Sequence, residues 1–368
     1  MRSIKITSFV GFWAIFLWTS QVYGAIVLVQ HADQGPTSSI NGRNVTAISL
    51  PSPPTQGNLL VAIAAGDVTG NLAAAGWSTA IIRAKTNDLA QIPSEAIFYR
   101  IAGLDQSPTF SFIHISNPDA NIALQIYEFS GVNALDPFIA AATDFGTTDA
   151  DNATGFQLNS GSANAQTASA IFIAGFVGRR QLTGSAVRSF GTGVLTGYTN
   201  AFRERANISG VRVPCDDLDP GCYGFAAASR LATAGGTFST MTTFTDEFPY
   251  EFIANDAVSW RGMIAAFRAE VNITISGRVF QNGGRSVTNA HVIITDENGI
   301  SQNLTSGRLG SFAFQVLTGH TYTITVQQRR FSFNARTIPV SDNVNISNLE
   351  IYSQSQPRPL RGMKTSRR

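Results

Sequence analysis

Residues 57–66 read GNLLVAIAAG, an apolar strand sequence, and residues 169–178 repeat its character as SAIFIAGFVG. Four further cues follow each of these two strands in the same order. The cues are Gly-aromatic-Ser/Thr at 76–78 and 197–199, Arg-Ile/Leu-Ala at 100–102 and 230–232, Thr-Phe-Ser at 109–111 and 237–239, and a strand ending in Phe at 123–129 and 261–267. The shared order predicts two similar strand sets that bury their apolar faces against each other.

The region around these cues, residues 25–269, consists of short apolar runs separated by turn residues. Many runs are rich in Val, Ile, Phe and Thr, and Thr109–His114 nearly alternates apolar with polar residues. No stretch keeps a helical pattern for long, so we expect an all-β fold whose first domain is a large jelly-roll-like β-sandwich with an internal pseudo-repeat. The pieces GNLLVA, GW, EFSG and AAF make this domain generally similar to repeat-bearing sandwich modules of bacterial surface proteins, a likeness that implies no particular site.

Beyond a boundary near residues 270–272 the chain forms a second unit. Residues 296–299 predict a hairpin turn with Gly where a positive φ is needed, and Tyr322, Ile324 and Val326 alternate towards one face. Over about residues 273–352 this unit resembles the carboxypeptidase regulatory-like domain. The resemblance implies a small prealbumin/Ig-like β-sandwich, a structural or adhesive appendage with no catalytic residues to carry over. It rests on residues 276–279, 289–290, 310–314, Gly319, 322–326 and 330–333.

Both ends of the chain have distinctive compositions. Residues 1–5 include two basic residues, residues 6–18 are mostly apolar, and small Val22 and Gly24 precede Ala25. The thirteen apolar-run residues fall short of the ~20 that a spanning helix needs, so we predict a signal peptide over 1–24 and no transmembrane segment after its cleavage. The protein is therefore expected to be secreted or to stay in the cell envelope. Residues 353–368 are predicted to form a disordered basic tail.

The charge balance argues against a nucleic-acid partner. The formal net charge is +2, but two basic residues lie in 1–24 and five lie in 358–368, and neither stretch contains an acid. Removing those seven positive charges leaves −5 on the remaining residues. Because nucleic-acid affinity depends on basic residues that neutralise phosphates, a mildly acidic body is unsuited to it.

The two cysteines, Cys215 and Cys222, enclose a short acidic loop. In an oxidising compartment they are predicted to form a disulfide that pins this loop. Asp216, Asp217 and Asp219 then offer several carboxylate oxygens in one place, the ligand type that calcium prefers. Calcium is the one cofactor that the sequence suggests, and the alternative is an acidic surface turn without metal.

Sugar binding would need an exposed aromatic ring that stacks on the face of a pyranose. The candidates outside obvious core strands are Trp77, Tyr198, Tyr223 and Tyr250. Trp77 and Tyr198 recur at equivalent points of the repeat, which favours a packing role for both.

An enzymatic interpretation depends on Glu95 and Glu128, which lie on predicted strands that could be neighbours. A glycosidase needs two carboxyl groups about 5–9.5 Å apart in a cleft. The sequence lacks G-x-S-x-G, H-E-x-x-H, C-x-x-C and Walker motifs, and its four histidines are predicted to be strand or surface residues.

Three functions stay open at this point. The first is a secreted or cell-surface non-catalytic binding and adhesion protein, which contacts an extracellular polysaccharide or a surface protein through sandwich loops. The second is a carbohydrate-active enzyme, a glycosidase or lyase on a jelly-roll scaffold. The third is a purely structural matrix or spacer protein.

Overall fold

The computed structural model describes residues 26–34, 45–66, 72–86, 92–104, 106–114, 122–149, 156–165, 169–181, 211–212, 221–232, 235–244, 257–342 and 344–354. These residues form strands and turns, and no helix among them is long and apolar enough to cross a membrane. The predicted all-β fold is confirmed. The predicted signal peptide and most of the predicted basic tail lie outside the described ranges.

The first repeat folds into a five-stranded sheet and a three-stranded sheet. Its strands are β1 (Val27–Gln34), β2 (Val45–Ser49), β3 (Leu59–Gly66), β4 (Leu72–Ala73), β5 (Ser78–Arg83), β6 (Ser94–Ile101), β7 (Thr109–His114) and β8 (Ile122–Ser130). The larger sheet has the order β1-β8-β3-β6-β5, and the smaller sheet has the order β2-β7-β4. Neighbouring strands are antiparallel throughout.

The second repeat follows the same plan. Its strands are β9 (Phe138–Asp149), β10 (Phe156–Ala165), β11 (Ala170–Gln181), β12 (Val211–Arg212), β13 (Gly221–Ala232), β14 (Gly236–Phe244) and β15 (Ala257–Arg268). The larger sheet has the order β12-β13-β11-β15-β9, and β10 pairs with β14. From its opposite edge this order is β9-β15-β11-β13-β12, which matches the first five-stranded sheet strand for strand.

The repeat extends to individual residue pairs. Arg100 of β6 pairs with Leu60, and its counterpart Arg230 of β13 pairs with Phe172. The Phe residues near the ends of β8 and β15 also pair with equivalent positions of β3 and β11. The pseudo-repeat predicted from the sequence is therefore confirmed at the level of strand register, except for the cue at 197–199, which lies outside the described residues.

The two repeats stack through their five-stranded sheets. Leu59, Val61 and Ile63 of β3 share one core with Ile173 and Val177 of β11. The alternate residues of β3 pack on the three-stranded sheet, and those of β11 pack on β10 and β14. The sandwich therefore has four layers of sheet rather than two. The reason is that β3 is apolar and buried at every position, so both of its faces need cover.

Residues 272–352 form the smaller sandwich. Its strands are β16 (Asn272–Phe280), β17 (His291–Thr295), β18 (Ser301–Thr305), β19 (Ser311–Leu317), β20 (His320–Gln327), β21 (Arg336–Val340) and β22 (Ile346–Tyr352). One sheet has the order β19-β16-β22, with β16 and β22 parallel, and the other has the order β18-β17-β20-β21. Alternate residues of β16, β19 and β20 are buried between the two sheets.

The predicted hairpin turn between β17 and β18 is present. Gly299 has a φ of 84°, and one carboxylate oxygen of Asp296 accepts hydrogen bonds from the backbone N–H groups of Asn298 and Ile300 at 2.9 and 2.8 Å. This Asp–Gly pattern closes the turn, because the carboxylate satisfies donors that the turn would otherwise leave free.

Candidate functional site

Most residues of the predicted metal and ligand sites lie outside the described part of the chain. These are Cys215, Asp216, Asp217, Asp219, Tyr198 and Tyr250. Cys222 and Tyr223 lie on β13, where the structure describes the backbone but not these side chains. The disulfide and the calcium loop therefore stay predictions. Within the described ranges, no group of three or more His, Cys, Asp or Glu side chains is arranged to hold a metal ion.

Trp77 is half-buried at the edge of the first repeat. Its ring packs edge-on against Phe110 at 5.4 Å between centroids and tilted against Phe112 at 5.6 Å. The guanidinium of Arg100 lies 5.8 Å from its ring centroid, a cation–π distance. These contacts give the indole the packing role that its recurrence in the repeat suggested, and a role in ligand binding stays a prediction.

Glu95 and Glu128 do not form a catalytic pair. Strand β3 lies between them, where Glu95 pairs with Ala65 and Glu128 pairs with Leu60. Five residues along the strand and two strand spacings across separate their Cα atoms by about 19 Å. Ala65 faces the second repeat, whereas Leu60 faces the three-stranded sheet. The two carboxyl groups thus lie on opposite faces of one sheet, which rules out the pair as a glycosidase site.

Glu128 instead organises the loop that precedes β3. Its carboxylate is fully buried and accepts hydrogen bonds from the backbone N–H of Thr55 at 2.8 Å, from Asn58 Nδ2 at 2.6 Å and from Gln30 Nε2 at 2.5 Å. Gln30 in turn donates from Nε2 to the carbonyl of Ser52 and accepts hydrogen bonds at Oε1 from the backbone N–H and the hydroxyl of Ser52. Such charge-assisted bonds fix a proline-rich loop onto the sheet.

Glu95 lies between the two repeats with neither carboxylate oxygen in a hydrogen bond. It occupies space left by Gly175 of β11, where a Cβ would come within 2.4 Å of Glu95 Oε1. Burial raises the pKa of Glu95 well above its ordinary value of 4.5, and the positive charge of Arg261 opposes that rise. The carboxyl group is therefore held in its neutral form over a wider pH range than in the unfolded chain.

Arg261 of β15 ties the second repeat to the first. Its side chain is buried, and its Nε donates to the carbonyl of Pro93 at 2.9 Å while its Nη2 donates to the carbonyl of Ala84 at 3.3 Å. Its guanidinium also lies 5.5 Å from the ring centroid of Phe145. These contacts cross-link loops of one repeat to a central strand of the other.

The second concentration of buried polar groups lies where the two domains meet. We call this region the joint and define it as residues 131–134, 268–271 and 318–320. Val132 forms an antiparallel bridge with Ala269, and the N–H of Glu270 donates to the carbonyl of Gly131 at 2.9 Å. The chain that links the domains is thus paired as a short ladder and does not run as a free linker.

Two further contacts join the domains across this ladder. The fully buried Asn133 donates from Nδ2 to the carbonyl of Ser341 at 2.7 Å. At Gly319, which has a φ of 88°, a Cβ would lie 2.8 Å from the backbone nitrogen of Ala134 and 2.9 Å from the Cα of Asn133. Only glycine permits this approach, because any side chain would collide with backbone atoms that cannot rotate away.

His320 is the charged centre of the joint. Its Nε2 lies 3.2 Å from Glu270 Oε1, and its Nδ1 lies 2.7 Å from Glu297 Oε1. The hydrogen bond to Glu270, followed by that to Glu297, raises the pKa of His320 to about 9 against the desolvating effect of its surroundings. The imidazolium therefore bridges the linker residue Glu270 to the β17–β18 turn at neutral pH.

The sequence interpretation missed the joint. His320 was expected to be a strand or surface residue and does begin strand β20, but no sequence pattern indicated its contacts with Glu270 and Glu297, and Asn133 and Glu270 carry no motif. The one available signal was the isolated Gly319, which belongs to the pattern of the C-terminal unit.

Comparison with known proteins gives one family match and several distant structures. The family model of the carboxypeptidase regulatory-like domain matches residues 274–352. Among curated proteins, none matches the sequence. The Bacillus anthracis TIE protein is 9% identical, with 89% of this chain and 41% of that chain covered and a TM-score of 0.22. This chain thus spans about two fifths of the TIE protein.

Two pilins give similar values. BcpA, the major pilin subunit of Bacillus cereus, is 9% identical over 85% of this chain and 100% of that chain, with a TM-score of 0.21. The T6 backbone pilin of serotype M6 Streptococcus pyogenes is 10% identical over 84% and 79%, with a TM-score of 0.17. At such TM-scores these likenesses carry no argument about this chain. The family match confirms that the C-terminal segment, residues 274–352, is similar to the carboxypeptidase regulatory-like domain.

Proposed function

We propose that the protein is a non-catalytic binding and adhesion protein that acts outside the cytoplasm, in which the four-layered repeat domain is held in a fixed orientation by the C-terminal sandwich. Its partner is an extracellular polysaccharide or a surface protein, contacted through loops of the repeat domain. The leader-like residues 1–24 support the location. The single observation that carries the proposal is the joint.

The joint supports this function because it limits movement between the domains. Val132, Asn133 and Ala269 are buried, its backbone is paired, and a side chain at Gly319 would lie only 2.8 Å from the backbone nitrogen of Ala134. Domains that only need to be near each other are usually connected by exposed, polar linkers and move freely. A fixed orientation instead preserves the presentation of a binding surface and transmits force along the chain.

Nuclear magnetic relaxation tests the rigidity of the joint. We expect the backbone amides of both domains to share one rotational correlation time in the wild-type protein. Gly319→Ala should let the smaller domain tumble faster, because the added Cβ pushes Ala134 away. Gly299→Ala is the matched control: its φ of 84° carries the same backbone strain, but nothing lies within 4 Å of the added Cβ. Separate correlation times in the wild type would remove the main support for the proposal.

A ligand screen distinguishes the proposal from its rivals. The whole chain is applied to arrays of extracellular polysaccharides and to surface-protein extracts fractionated to purity. Saturable binding without turnover supports a binding protein. Cleavage of any glycan would indicate an enzyme, and the acids responsible would then be other than Glu95 and Glu128. A rigid joint with no ligand in either screen would favour the purely structural spacer.

A further inference from the structure

The outer face of the β19-β16-β22 sheet carries a concavity of about 410 Å³. It forms where the parallel pairing of β16 and β22 loses register between Ile275 and Gly277. Strand β22 has one extra residue there, and Asn348 takes a φ of 62°. Asn348 and its neighbours in β22 line the concavity together with residues of β16 and β19.

The polar groups of this concavity are free to bind a ligand. The Arg278 side chain is exposed in it and, among the residues that the structure describes, makes no hydrogen bond or ion pair, although Glu350 occupies the paired position on β22. The carboxylate of Glu350 accepts a hydrogen bond from Tyr352 at 2.8 Å through one oxygen, which leaves the other available. The hydroxyls of Ser276 and Ser311 line the same space.

An aromatic platform borders these groups. Phe280 and Tyr352 stack with their centroids 5.3 Å apart and their planes within 23°, and Tyr352 is 49% exposed. An exposed aromatic ring beside hydroxyl, carboxylate and guanidinium groups suits a ring-shaped ligand with both an apolar face and polar edges. A guanidinium without a partner adds a preference for a planar anion, which it binds through two parallel hydrogen bonds.

We infer that this concavity binds uronic-acid residues of an acidic polysaccharide. Arg278 would bind the sugar carboxylate, the free oxygen of Glu350 and the two serine hydroxyls would bind ring hydroxyls, and Tyr352 would pack on a sugar face. The concavity lies on the C-terminal sandwich and is separate from the joint, so the inference does not rest on the proposed function of the repeat domain.

Calorimetric titration of the whole chain with a galacturonate hexamer tests the inference, with a galactose hexamer as the neutral counterpart. We expect the acidic hexamer to bind at least about tenfold more tightly than the neutral one, the effect of one hydrogen-bonded charged group. Arg278→Gln should remove this preference. Arg329→Gln, which removes another exposed arginine from the turn after β20, outside the lining of the concavity, should leave it unchanged. Tyr352→Ala should weaken binding of both hexamers.

Several outcomes would overturn the inference. Equal affinity of the wild type for the two hexamers, or an unchanged affinity of Arg278→Gln for the acidic hexamer, would show that the guanidinium does not bind a sugar carboxylate here. Binding of a peptide carboxylate in place of galacturonate would assign the concavity to a protein ligand. All three substituted residues have exposed side chains, so a melting curve like that of the wild type confirms that a loss of binding is local.

Discussion

Glu95→Gln is the sharpest test of how the two repeats are held together. The substitution keeps the size and shape of the side chain but removes its proton equilibrium. In the folded protein the pKa of Glu95 is raised above 4.5, chiefly by burial, so the folded state keeps the proton to a higher pH than the unfolded chain does. Stability due to this group is therefore complete below the unfolded pKa and is lost as the pH rises through the folded one.

The magnitude follows from proton linkage. Between the unfolded and the folded pKa of Glu95, the folded state holds one more proton than the unfolded chain. The free energy of unfolding of the wild type therefore falls by about 1.4 kcal/mol for each unit by which the pH rises. The glutamine variant lacks this slope. The stability difference, variant minus wild type, should therefore grow as the pH rises above about 4.5 and should level off once the pH passes the folded pKa of Glu95. Arg261 reduces this growth by favouring the ionised carboxylate.

Tryptophan fluorescence makes the measurement specific to the repeat domain. The chain has four tryptophans: Trp13, Trp18, Trp77 and Trp260. The C-terminal sandwich contains none of them, so urea unfolding followed by tryptophan emission reports on the repeat domain alone once residues 1–24 are absent. Asp342→Asn, which removes an exposed carboxylate from the other domain, controls for general charge effects.

A stability difference that stays constant with pH would refute the reasoning. It would mean that Glu95 ionises in the folded state as readily as in the unfolded chain. That result requires an ion pair with Arg261 strong enough to offset the whole cost of burial.

Three other results are expected. Glu128→Gln should cost about 2 kcal/mol in urea unfolding, since the NH₂ that replaces one carboxylate oxygen cannot accept a hydrogen bond and leaves at least one of the three donors unpaired, and an unchanged midpoint would contradict its role in the loop. His320→Gln should cost about 1–2 kcal/mol near pH 7 after allowance for solvent screening, with the difference disappearing as the pH rises through about 9; a difference that persists at pH 10 would show that the charge is not responsible. EDTA should lower the melting temperature of the wild type and added calcium should restore it, whereas neither should change the melting temperature of Asp217→Ala; equal melting temperatures of the wild type with EDTA and with calcium would mean that the loop is an acidic turn without metal.

The sequence by itself determined the elements whose evidence is local. The alternation of Tyr322, Ile324 and Val326 selects one face of β20, and the turn at 296–299 needs only an Asp carboxylate and a Gly with positive φ. The repeat also was readable, because two similar strand sets place similar residues at similar spacings. Arg100 and Arg230 occupy equivalent register positions in the two sheets, as their shared cue predicted.

Tertiary structure alone decided which faces meet. A strand such as β3, apolar at every position, does not reveal which side faces the other repeat, so the opposite placement of Glu95 and Glu128 depends on sheet order. The joint has the same origin: Asn133 and Ser341 are 208 residues apart, and Gly319 matters only because the backbone at Asn133 passes beside it. Contacts between distant segments are set by the packing of whole sheets, which no short stretch of sequence encodes.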